Sequence, residues 1–193
     1  MTPLTPRQQL TLGLSLALLM LLTRSQHFAD LHHLPEASWA VFFLAGVFLR
    51  PLWGFAGLCG LAALSDFVAI QYGGVPDFCI TDAYALLAPT YGALWLAGRG
   101  YARLHRDTLA TLPPLAGIAL VSALIAELIS SGGFYVFSGH FAEPSLAAFL
   151  PRLAAYFPAD LGAMALYLGC AALLYGAWHT AQQAHPAPSS VSK

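Results

Sequence analysis

The sequence predicts an all-α integral membrane protein, a bundle of six transmembrane helices, and three observations carry that reading. Hydrophobic residues make up 58% of the chain and charged residues only 9%. The apolar residues fall into long runs separated by short polar turns. The 13 prolines and 17 glycines are spread through these runs, a usage that membrane helices tolerate better than soluble ones. A soluble domain carries about 25% charged residues, so most of this surface is expected to face lipid. The formal net charge of −1 and the lack of a basic block argue against a nucleic-acid partner.

A spanning helix needs roughly 20 largely apolar residues. The first run lies between Arg7 and Arg24, richest in leucine over residues 10–22. It is followed by Arg24 and a His-rich segment rather than a small-residue cleavage site, and further apolar runs come after it, so it reads as a membrane helix rather than a signal peptide. A polar connection, residues 25–36, carries His27, His32 and His33. The second span, 38–50, is the shortest, and the Arg50-Pro51 step ends it because proline disfavours helix in the residue before it. The third covers 51 to about 71, with Asp66 in its last turns.

A polar turn over residues 73–84 leads into the fourth span, 82 to about 98, and a basic loop at 99–107 follows. The fifth span, from about 109 to 131, has Pro113-Pro114 near its start and Glu127 near its end. Residues 132–144 read as a loop of Gly, Ser and aromatic residues, and the sixth span begins after Pro151-Arg152 and ends near Trp178. Residues 1–179 thus form one membrane domain, and the polar, Pro/Ser-rich tail 180–193 is expected to be disordered.

With the N-terminus in the cytoplasm, Arg7, Arg50, Arg99, Arg103, Arg106 and Lys193 fall inside and only Arg24 and Arg152 outside. The positive-inside rule therefore favours cytoplasmic termini. The connection at 25–36, the turn at 73–84 and the loop at 132–144 then share the outer face, where they would roof a pocket between helices.

Ionisable groups within spans are costly and mark function by default, which singles out Asp66, Asp82, Glu127, Arg152 and Asp160. The structural alternative is that Arg152 pairs with one of the carboxylates or snorkels to the interface. Cys59 and Cys170 sit among Leu, Gly and Ala, where cysteine packs as a small hydrophobe, and no Cys-x-x-Cys pairing is present. Cys79 differs, because it stands in the polar turn between Asp77 and Asp82. A neighbouring carboxylate disfavours a free thiolate nucleophile, whereas a soft metal ion deprotonates a coordinating thiol outright, so metal ligation explains this cysteine better than acyl transfer.

Other readings are weaker. His27, His32 and His33 supply a rival zinc or copper site but contain no i, i+4 pair. The Gly13/Ala17 step offers a close-packing face on the first helix. The serine- and glycine-rich stretches at 130–133 and 138–140 lack the pattern of an intramembrane serine hydrolase. A purely structural membrane protein would not need Asp66 within a span. No phosphate-binding Gly-x-x-x-x-Gly-Lys motif is present, so any use of ATP would require another subunit.

Six short spans, cytoplasmic termini and an outward pocket roofed by loops resemble the S-components of energy-coupling factor vitamin transporters. Within that group, the turn 75–84 with Cys79 and Tyr84, upstream His27 and Asp66, and downstream Arg152 resembles the BtuM family of cobalamin (vitamin B12) transporters of Gram-negative bacteria. The likeness runs over about residues 27–178 and rests on scattered residues rather than one long motif. It implies that Cys79 is an axial ligand to the cobalt of cobalamin bound with its base displaced, and that the thiolate promotes removal of cyanide from cyanocobalamin. It also implies that His27, Asp66, Tyr84 and Arg152 contact the ligand, and that the protein sits in the bacterial inner membrane with its site facing the periplasm. The first helix departs from the family's Ala-x-x-x-Ala docking face, which leaves coupling to an ATPase module open. The competing expectation is an S-component-like binding subunit for another vitamin or small molecule, without metal ligation.

Overall fold

A computed structural model describes residues 4–24, 34–74, 77–106 and 108–184, with Cys79 and residues 182–184 described by backbone alone. Among these residues the regular elements are helical. The α-helices are α1 (Pro6–Arg24), α2 (Ser38–Phe48), α3 (Leu52–Gly73), α4 (Leu87–Leu104), α5 (Leu112–Phe137) and α6 (Leu146–Ala184). Short 3-10 turns lie at Asp77–Cys79, Asp82–Leu86 and Leu109–Thr111. Three stretches are long and apolar enough to cross a membrane, Leu52–Gly73, Leu109–Phe137 and Leu146–Ala181, and α2 is a shorter apolar helix.

Local chemistry explains most of the boundaries. Thr5 and Gln8 form a reciprocal capping box, in which the Thr5 N–H donates to Gln8 Oε1 at 2.9 Å and the Gln8 N–H donates to Thr5 Oγ1 at 3.3 Å. Pro6 occupies the first helical position, where its missing N–H costs nothing. Helix α2 stops with Leu49 extended, two residues ahead of Pro51. Helix α3 ends at Gly74, whose φ of 68° is the left-handed cap conformation that favours glycine, and its N–H closes on the Ala69 carbonyl.

Several boundaries differ from the sequence expectation. The fourth span, expected from 82 to about 98, is a 3-10 turn over Asp82–Leu86 followed by α4 as far as Leu104, so residues 99–104 of the expected basic loop are helical. Helix α5 runs on to Phe137, so residues 132–137 are helix and not loop. A Cβ on Gly133 would lie 2.2 Å from Leu86 Cδ1, so this glycine is kept for a close contact with the turn before α4. Helix α6 begins at Leu146, ahead of Pro151-Arg152, and extends to Ala184 with Pro151 and Pro158 inside it. Each proline removes one helical hydrogen bond, yet in an apolar medium the remaining backbone groups gain more from helix than from any irregular path. Of the tail expected to be disordered, residues 180–184 are helical, and 185–193 lie outside the described residues.

Helix α2 is the centre of the bundle. Ala40, Val41, Phe42, Phe43 and Ala45 are all fully buried. The helix meets α4 backbone to backbone, because a Cβ on Gly46 would lie 2.1 Å from the Trp95 carbonyl oxygen and one on Gly98 would lie 2.0 Å from that of Phe43. Small residues at such crossings let two helices approach closely without a side chain between them. Leu10, Leu14, Leu18 and Leu22 form the opposite kind of surface, an exposed stripe along α1 at a four-residue spacing that suits lipid.

Candidate functional site

The α1 helix ends on Arg24, and this guanidinium gathers polar groups from four other segments. Nε donates to Asp66 Oδ1 and Nη2 to Asp66 Oδ2, both at 2.6 Å, a bidentate pairing between α1 and α3. Nη1 donates to Glu36 Oε1 at 2.8 Å, Ser38 Oγ at 3.0 Å and Tyr91 Oη at 2.8 Å. Ser38 Oγ–H in turn donates to Glu36 Oε1 at 2.7 Å. The Tyr84 hydroxyl donates to Asp66 Oδ2 at 2.8 Å. The side chains of Arg24 and Asp66 are 11% and 21% exposed, so the pair is largely withdrawn from solvent and each partner depends on the other for charge balance. Tyr91 is held in place by stacking on Phe42 of the core, with centroids 4.1 Å apart and planes 7° from parallel.

This cluster forms one wall of a cavity of about 630 Å³, a size typical of small-molecule sites. The facing wall is aromatic, built by Phe78 from the turn after α3, Phe134 and Tyr135 from the end of α5, Phe141 from the following connection, and Phe149 and Tyr156 from α6. Its rings touch one another, with Phe78 and Phe134 centroids 5.6 Å apart and Tyr135 and Phe141 4.6 Å apart. Arg152 of α6 lies with its guanidinium carbon 4.6 Å from the centre of the Phe141 ring and 6.0 Å from that of Tyr135, within the range of cation–π attraction. His140 stacks on Phe78 at 4.1 Å and its Nε2 lies 3.1 Å from the Phe78 carbonyl oxygen, which ties the 77–79 turn to the connection after α5.

Asp66, Tyr84 and Arg152, which are far apart in sequence, line this one cavity. The backbone of Cys79 closes the Asp77–Cys79 turn, and its neighbours Phe78 and Ile80 both line the cavity. His27 lies outside the described residues, as do His32 and His33. Asp82 is exposed and Glu127 is buried, and neither is in the cavity wall. The pairing of Arg152 with a carboxylate, considered from the sequence, is not found. Among the described residues Arg152 makes no ion pair, and Arg24 is the partner of Asp66.

Sequence reasoning missed Arg24, Glu36, Ser38 and Tyr91. A signal was available for the first: Arg24 and Asp66 close two apolar runs at the same expected depth, and opposite charges so placed in an apolar medium pair with each other. Among the described residues no group of three or more His, Cys, Asp or Glu is arranged to hold a metal ion. No family model matches the sequence, and no curated protein matches it significantly.

A cavity with a charged wall whose groups are mutually satisfied, an aromatic wall and one arginine whose donors are uncommitted among the described residues suits an amphipathic ligand. Its flat apolar face would lie on the rings, and its polar edge would meet Arg152 and the Tyr84–Asp66–Arg24 chain.

Proposed function

We propose that this protein is a cobalamin-binding protein of the bacterial inner membrane that serves vitamin B12 uptake. In this reading six helices span the bilayer, both termini are cytoplasmic and the cavity opens towards the periplasm. The observation that carries it is the convergence of Asp66, Tyr84 and Arg152 on one cavity beside the turn that bears Cys79. These are three of the four ligand-contacting positions that the BtuM resemblance implies, contributed by α3, the 82–86 turn and α6. Cobalamin presents a flat macrocycle edged with amide arms, which matches a cavity with aromatic rings on one side and charged hydrogen-bonding groups on the other.

Cys79 is the residue with chemistry to offer. Its thiolate would take the lower axial position of the cobalt in place of the displaced base, and a soft, strongly donating ligand there weakens the bond to cyanide on the opposite face. One electron from a small external thiol would reduce Co(III) to Co(II) and let cyanide leave with its bonding pair. The external thiol would be oxidised to half a disulfide, and its proton taken up by the cyanide. The transfer of the ligand across the bilayer follows from the S-component likeness and needs no ATP site in this chain.

The test is the visible spectrum of the full-length protein purified from cells supplied with cyanocobalamin. The expected result is a coloured protein whose spectrum differs from free cyanocobalamin and reverts in Cys79→Ser. A colourless preparation, or a spectrum identical to free cyanocobalamin with Cys79 intact, would sink the reading. Binding that survives Cys79→Ser unchanged would instead favour a ligand held without metal ligation, a reading that the uncommitted guanidinium of Arg152 over the Phe141 ring also suits.

A further inference from the structure

The ligand cavity lies at the end of the bundle where α1 and α3 finish and α4 begins. At the other end, the start of α3 and the ends of α2 and α4 meet around three arginines. Arg99 of α4 donates from Nη2 to the Leu49 carbonyl at 3.0 Å and to that of Arg50, which closes the end of α2. Its guanidinium carbon lies 4.3 Å from the centre of the Trp95 ring. Arg103 follows Arg99 by four residues on α4 and so shares its face. The Arg50 N–H donates to Gln9 Oε1 at 3.2 Å, which brings α1 to the same point.

Nothing balances these charges. Arg50 and Arg103 are exposed, and among the described residues none of the three arginines makes an ion pair. No Asp or Glu occurs in residues 4–24, 37–65 or 83–106, the stretches that build this end. The nearest acid in sequence, Asp107, lies outside the described residues.

A groove of about 190 Å³ opens beside Arg50, between α1 and α3, and the two chain neighbours of Arg50, Leu49 and Pro51, both line it. It runs from Gln9 to Ala17 along α1 and from Trp53 to Leu61 along α3, about 12 Å at 1.5 Å per residue. One leaflet of a hydrocarbon core of roughly 30 Å is about 15 Å deep, so the groove follows most of one leaflet. Its lining is apolar except at the arginine end, where Gln9 and the indole of Trp53 stand. Trp53 is 66% exposed, as suits a ring at the boundary between hydrocarbon and head groups. The groove alone would take any lipid tail, and the arginines alone would take any anion. Joined end to end, they fit a molecule with a negative head and a long alkyl chain, because basic sites at helix ends select anionic over zwitterionic head groups.

We infer that this end of the bundle binds one anionic phospholipid, with its phosphate at Arg50 and Arg103 beside Arg99 and one acyl chain in the α1–α3 groove. The site is separate from the ligand cavity and does not depend on cobalamin.

The experiment is native mass spectrometry of the full-length protein in detergent, titrated with phosphatidylglycerol, phosphatidylcholine of the same chains, or inorganic phosphate. The expected species is a monomer carrying one phosphatidylglycerol, bound at least about tenfold more tightly than phosphatidylcholine. Arg50→Gln/Arg103→Gln, which leaves the bonds of Arg99 intact, should weaken phosphatidylglycerol by about thirtyfold, at about 1 kcal/mol for each arginine near an anionic head group. Gly57 lines the groove and a Cβ there meets nothing within 4 Å, so Gly57→Leu fills the groove without disturbing the helices and should weaken both lipids by about tenfold. Equal affinity for the two lipids in the wild type overturns the inference whether or not either variant folds. A preference for phosphatidylglycerol that persists in a folded double variant, or unchanged binding in a folded Gly57→Leu, overturns it as well. Displacement of the lipid by equimolar inorganic phosphate would assign the arginines to a free anion, and a lipid-free dimer would assign the groove to a second copy; either result overturns the lipid site.

Discussion

Two arginines line the same cavity in opposite states. Arg24 spends all three guanidinium nitrogens on Asp66, Glu36, Ser38 and Tyr91, whereas Arg152 meets only ring faces among the described residues. The first is part of the frame, since it joins α1, α3, α4 and the start of α2 at one point. The second has its hydrogen-bond donors available to a ligand. A charge inside a membrane protein is therefore not by itself a mark of binding; what separates structural from ligand-facing charge is whether its donors are already satisfied.

Substitutions can break this contrast. Asp66→Ala should have the largest effect on the fold, because it leaves the mostly buried Arg24 with only the outlying Glu36 for charge balance. Loss of one partner of such a pair costs about 3–5 kcal/mol when burial is complete, and somewhat less is expected at 21% exposure. Thermal unfolding in detergent would show it, and wild-type stability in this variant would refute the framing role of Arg24.

Gly98→Ala ranks next and tests the frame away from any charge. Its new Cβ would lie 2.0 Å from the Phe43 carbonyl, so α2 and α4 must separate, at a cost of about 1–3 kcal/mol, also read from the thermal midpoint. Tyr84→Phe removes one hydrogen bond to Asp66 and should cost about 1 kcal/mol. Since Asp66 keeps Arg24, a much larger loss of stability would mean that the pair is held together from the tyrosine side. Arg152→Ala should have the smallest effect on stability, within about 0.5 kcal/mol as for substitutions without committed partners. If the proposed function holds, the same variant should weaken cobalamin binding by about tenfold, the loss of a charge-assisted hydrogen bond of about 1.5 kcal/mol, measured by spectral titration. Unchanged affinity together with lost stability would exchange the roles assigned to the two arginines.

The order of the helices was legible because apolar run length and the positions of Pro51, Gly74 and Pro113 act locally. The C-terminal end of α5 and the start of α6 were not, because Gly132-Gly133 and Pro151 suggest breaks by their own preferences while an apolar environment rewards continued helix. For the site, Asp66, Tyr84 and Arg152 stood out as polar residues in or beside apolar runs. In the sequence Arg24 marks only the end of a span, since one sequence shows that a charge is present but not which opposite charge lies across the bundle.

From its own composition the chain determined a helical membrane-type protein, as 58% hydrophobic residues in long runs leave backbone groups to bond within their own segments. Only the tertiary structure decided which charges satisfy one another. Pairing depends on distances between segments 42 residues apart, as for Arg24 and Asp66, and such distances are set by how closely glycine-lined helices pack around α2.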